Sequence, residues 1–202
     1  MWRSSRKRIG RIMGYGRAFE RAYSRLKEIE GGLSDHPSDS GGETAYGWTY
    51  DTAKDAGWKG LKSKFLKEFT IEDSEKLLFS YYWERLMLQK VAESCENVSF
   101  QILDFAFHAG EKKSIKAFQT GLNLFNRKQK DYEDIKVDGI IGKKTIGAYD
   151  GLVKTRNQAT TGKLLTAFIT VEHGHHLNTV SEKWEKNEDF MVGWYLKRII
   201  EN

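Results

Sequence analysis

Residues 17–32 read RAFERAYSRLKEIEGG, and this stretch decides the fold class. Phe19, Ala22, Tyr23, Leu26 and Ile29 recur at steps of three and four, which puts them on one face of a helix. Gly31 stops that helix, because glycine accepts the left-handed conformation a helix end demands. Glu30 therefore stands at or beside a helix C-terminus. Residues 31–51 then run as a loop rich in Gly, Ser, Asp and Thr, with the single proline Pro37 and a short hairpin around residues 44–49.

The rest of the chain repeats the helical pattern. Short helices are expected within 52–69. Thr70 reads as the N-cap of a helix over 71–91, with Leu77, Leu78, Tyr81, Tyr82 and Leu86 as its buried stripe. Further helices are expected over 98–109, stopped by Gly110, and over 112–126, 143–155, 158–172 and 182–200. Val137-Asp138-Gly139-Ile140-Ile141-Gly142 is a turn signature. No repeat or clear linker interrupts the chain. The expected fold is mainly α, with at most a small β-hairpin. It divides into a basic arm (1–16), a first region (17–95) and a second helical region (96–202), the last two packed as one globule.

Composition bounds the function. A chain of 202 residues holds one or two domains. Six Trp, nine Tyr and eleven Phe supply a real core and also suit sugar rings, whose apolar C–H faces pack on aromatics. The single cysteine, Cys95, permits no internal disulfide and no cysteine metal site. The net charge is +5, yet residues 1–17 alone carry Arg3, Arg6, Lys7, Arg8, Arg11 and Arg17 with no acid, so the body is near neutral. Such an arm suits anionic surfaces, with salt-sensitive binding. No further basic run follows, so nucleic acid is not an expected partner. No apolar stretch reaches the length of a membrane span. The arm is not followed by the apolar segment of an ordinary signal peptide, so action outside the cytoplasm calls for another export route.

The chemistry concentrates at Glu30-Gly31-Gly32 and Asp39-Ser40-Gly41-Gly42-Glu43-Thr44. Cleaving a sugar–sugar bond takes a proton donor to the leaving oxygen and a second group that activates water or stabilises the developing cation. Glu30 suits the first role: the negative end of the helix dipole and apolar neighbours both disfavour its charged form. Asp39 or Glu43, on the loop facing it, suits the second, with Thr44 helping to place a water. Turn and cap roles for these loop residues are the plain alternative.

The same residues, with Gly47-Trp48-Thr49, resemble the signature of glycoside hydrolase family 108, whose members are predicted N-acetylmuramidases. Some are named secretion-activating proteins and others are phage endolysins. The resemblance implies a lysozyme-like helical fold, no cofactor, peptidoglycan glycan strands as substrate, and Glu30 as the catalytic acid. It makes 17–95 the catalytic region. The step of nine from Glu30 to Asp39 also resembles phage-type lysozymes, with Thr44 one residue early. Lys116-Ala117-Phe118-Gln119 with Leu122, then the 137–142 turn and Thr145, resemble the peptidoglycan-binding region that follows in the family. Residues 103–110, LDFAFHAG, resemble the helix before it, where Asn is more usual near His108. Gly193-Trp194 resembles a closing motif, with Arg198 a little later than its usual place. A holin-like protein is the export partner such a chain implies. The alternative from another class is a non-catalytic peptidoglycan-binding or secretion-helper protein of the same fold; a chitinase-like activity is a second enzyme reading.

Tyr46 and Trp48 are candidate aromatic walls for a sugar, with Trp48 equally a core residue; Asp104 is either a cleft residue that contacts substrate or a helix-surface acid, and His108 is a further candidate substrate contact. His36 reads as a loop residue. Glu172-His173-Gly174-His175-His176 has the residue types of a metal site, but histidines at a helix end also cap carbonyls, and no metal is expected.

Overall fold

A computed structural model of the protein describes residues 16–30, the backbone of 33–34, and 44–201. Helix α1, Arg17–Glu30, forms as the periodicity predicts and buries Phe19, Ala22, Tyr23 and Leu26. Three two-residue strands follow: β1 (Leu33–Ser34), β2 (Thr44–Ala45) and β3 (Trp48–Thr49). They form an antiparallel sheet in the order β1-β2-β3, with Ala45 opposite Trp48. Tyr46 and Gly47 link β2 to β3, and both have positive φ, as a tight primed hairpin turn requires. The expected hairpin is thus present, with one more strand beside it. Residues 35–43, which include Asp39 and Glu43, and the arm residues 1–15 lie outside the described residues.

Helix α2 (Tyr50–Asp55), a 3-10 turn (Lys62–Lys64) and α3 (Phe65–Glu68) are the short helices expected there. Thr70 caps α4, Ile71–Leu77, through a capping box: its hydroxyl accepts from Asp73 N, and the Asp73 carboxylate accepts from Thr70 N. The predicted single helix over 71–91 is not continuous. It widens into a π-turn (Leu78–Glu84), breaks at Met87 with φ of 51°, and resumes as α5, Leu88–Ala92. Leu86 and Leu88, on either side of the break, are both buried, so packing holds the bend.

Helix α6, Glu96–Ala109, is buried from Val98 to Ala106 and packs against α1, α5 and the helices that follow. A helix covered on all sides belongs in the middle of the core. Gly110, at φ of 96°, ends it and opens α7, Glu111–Phe125. The 137–142 turn then crosses the start of α7. Gln119 fastens it, donating to Asp138 Oδ1 and Ile140 O at 3.0 Å each and accepting from Gly139 N at 2.8 Å. Gly139 has φ of 79°, and a Cβ there would stand 2.9 Å from the Lys112 carbonyl oxygen, so the turn needs glycine. Gln119→Leu would keep the volume of this buried side chain but remove all three bonds that fasten the part-buried turn. The expected cost is about 2–3 kcal/mol in urea unfolding.

Helix α8 (Lys143–Arg156) packs on α5 and α7, α9 (Gln158–Lys183) packs on α6, α7 and α8, and α10 (Glu188–Trp194) runs into a closing π-turn, Tyr195–Ile200. The sequence reading ended a helix at 172; α9 instead continues to Lys183. The histidine cluster therefore lies within a helix and not at its end. No helix among the described residues is long and apolar enough to cross a membrane.

Candidate active site

Glu30 is the last residue of α1, and its side chain keeps 17% of its exposure. It looks into a small, partly open pocket lined by Tyr23, Leu26, Lys27, Tyr46, Ser74, Leu78 and Phe107. α1 supplies one wall, and the β2–β3 turn supplies another. Burial is the largest influence on Glu30 and raises its proton affinity above the ordinary value of 4.5; Arg198 and Lys197 oppose it. The carboxyl that the sequence marks thus faces the pocket, with burial and two nearby cations acting on its proton in opposite directions.

The turn fits closely against the acid. Gly47 has φ of 79°, and a Cβ there would lie 2.9 Å from Glu30 Oε2 and 2.7 Å from Phe107 Cε1. Tyr46 is partly exposed and lines the pocket. Thr44, also partly exposed, opens the strand leading into this turn.

Two candidate substrate contacts are corrected by their burial. Trp48 is fully covered. Its ring lies edge-on to Phe107 and its Nε1 donates to Ser74 Oγ at 3.0 Å, so it braces the pocket wall from behind. Asp104 is likewise at 0% exposure, facing inward from α6, where no sugar can reach it. His108, one turn further on, is half-buried: its Nδ1 lies 3.0 Å from His173 Nε2 and its ring meets the edge of Trp194. Burial, with Arg198 adding to it, holds His108 well below the ordinary imidazole range and His173 at about 3. The cluster 172–176 points in several directions, with His173 buried, His175 exposed and His176 between.

The residue that sequence reasoning did not bring to the site is Arg198. Only 3% exposed, it pairs with Glu30 Oε1 through Nη2. Lys197, beside it, donates to the carbonyl of Ile29 at 3.2 Å, so the closing π-turn caps the end of α1. The closing-motif resemblance was the signal that pointed toward this segment, but it carried no pairing.

The molecule is thus a mainly helical chain with one part-exposed acid on an aromatic-lined pocket, completed by a C-terminal arginine. Residues 23–110 match the glycosyl hydrolase 108 family, and residues 113–199 match a predicted peptidoglycan domain. The two matched regions follow one another along the chain, the glycosyl hydrolase 108 match first and the predicted peptidoglycan domain after it. SagA of Brucella abortus has a similar fold, with a TM-score of 0.64 at 23% identity over 89% of this chain and 88% of that one. No curated protein matches the chain.

Proposed function

We propose that this protein is a peptidoglycan hydrolase of the muramidase type, cleaving the β-1,4 bond between N-acetylmuramic acid and N-acetylglucosamine. The observation that carries the proposal is Glu30: a part-exposed carboxyl in an apolar pocket, with raised proton affinity, in the region that matches this family. Glu30 protonates the leaving glycosidic oxygen. Asp39 or Glu43, with Thr44, places the attacking water, and Tyr46 offers its ring to a sugar. The predicted peptidoglycan domain supports the wall polymer as substrate.

One observation favours the rival reading of a non-catalytic wall-binding protein. Arg198 pairs with Glu30 and so favours its ionised form, which cannot donate a proton. Product chemistry separates the two. Purified wall digested by the protein and then reduced with borohydride is expected to show new reduced ends on N-acetylmuramic acid. New ends on N-acetylglucosamine, or on chitin in a parallel digest, would redirect the bond assignment. Retained wall binding with no new ends would establish the rival.

A further inference from the structure

The two family regions meet at one buried cation. Arg198, within the predicted peptidoglycan domain, reaches Glu30 in the glycosyl hydrolase region with Nη2. Its Nη1 lies 3.8 Å from Asp104 Oδ1. Both Arg198 and Asp104 are shut away from water, so their charges act on each other and on Glu30 with little screening. One guanidinium, with its fixed fork of donors, thus faces two carboxyls.

Further titratable and charged groups pack around this trio. On the far side of Asp104, His173 Nδ1 stands 3.7 Å from Oδ2, and its Nε2 shares one hydrogen bond with His108. One of those two nitrogens donates and the other accepts, so the pair needs no extra proton. His176 is also held neutral, at about 4, by its burial and by Lys113. Arg25, stacked over Phe100 at 3.8 Å, feels Asp104 from α1. Lys197 acts on Glu30 from the closing turn.

A general acid opposite an arginine is in conflict with its task, since the arginine favours the form that has already lost the proton. The geometry contains a remedy. We propose that Asp104 is a positioning residue that shares Arg198 with Glu30 and draws it back, so that Glu30 can carry the proton it donates. The second region then takes part in the chemistry of the first, and does more than hold the wall. This proposal rests on Glu30 acting as the general acid.

The test reads the proton on Glu30 directly, through its carboxyl carbon shift against pH in the full-length protein labelled with ¹³C-glutamate. Asp104→Asn is expected to lower the Glu30 midpoint by about one pH unit, because a carboxylate that competes with Glu30 for Arg198 is removed. Arg198→Met is expected to raise it by about as much. In the double variant the effect of Asp104→Asn should vanish, because a residue that acts through Arg198 has nothing left to act on. An unmoved midpoint in Asp104→Asn, or an equal fall with and without Arg198, would overturn the proposal. An unmoved midpoint in Arg198→Met overturns it too, and should the Asn variant not fold, Asp104→Ser takes its place in the same comparison with and without Arg198. Wall clearing by the wild type is scored separately. Its absence would sink the hydrolase reading, while the midpoints still decide whether Arg198 is shared.

Discussion

Glu30→Gln is expected to lower wall clearing by about 10³-fold, within the range that removal of a positioned proton donor produces. Gln keeps the size of the side chain and an oxygen for Arg198 to bond, so the pocket and the end of α1 should persist. It has no proton to give to a leaving oxygen. The pH dependence supplies a check on folding. Burial raises the proton affinity of Glu30 in the folded chain above 4.5. The folded state therefore binds a proton more tightly than the unfolded state, and this stabilises the fold fully below the ordinary carboxylate value. That stabilisation is lost as pH rises through the higher folded value. The Gln variant lacks the titration, so its melting temperature should gain on that of the wild type as pH rises through this window. Equal clearing by both proteins would remove Glu30 from the mechanism. Loss of clearing together with loss of cooperative melting would show a folding defect instead.

Local pattern made part of this legible. The bounds of α1, the Thr70 cap and the 137–142 turn follow from periodicity, capping chemistry and glycine, all of which act within a few residues. Glu30 was legible for the same reason, as an acid at a glycine stop. Other features are set by distant packing. The helix expected to end at 172 runs on through Gly174 as part of α9, where the closing turn packs beside it with Ile199 in ordinary contact range. The bend at Met87 has no glycine or proline to announce it. Arg198 and Glu30 are 168 positions apart, and no spacing rule joins them. The late position of Arg198 after Gly193-Trp194 has a physical counterpart in the π-turn of Tyr195–Ile200, which holds more residues per turn than an α-helix. Trp48 and Asp104 both take the buried place rather than the cleft. An indole next to a motif suggests a sugar wall, and an acid on an apolar helix suggests a cleft, but both chains turn inward.

Gly47→Ala is expected to cost about 10²-fold in wall clearing, although residue 47 carries no chemistry. Two effects combine there. The φ of 79° strains any side chain. The added methyl would also stand 2.7 Å from Phe107 and 2.9 Å from Glu30 Oε2, closer than Cβ atoms approach their neighbours. Phe107 is wedged against Trp48 and Tyr82 and has little room to yield. Glu30 is the freer of the two, so the carboxyl moves, and a displacement of about 1 Å at a reacting group is enough for a loss of this size. Gly57→Ala isolates the first effect: Gly57 has φ of 112° with nothing within 4 Å of its Cβ position. It should lose stability to backbone strain and keep its activity per folded molecule. A crystal structure or the Glu30 carboxyl shift of the Gly47 variant would show the displaced acid. If Gly47→Ala cleared wall as fast per folded molecule as Gly57→Ala, the contact between the turn and Glu30 would have no part in holding the acid.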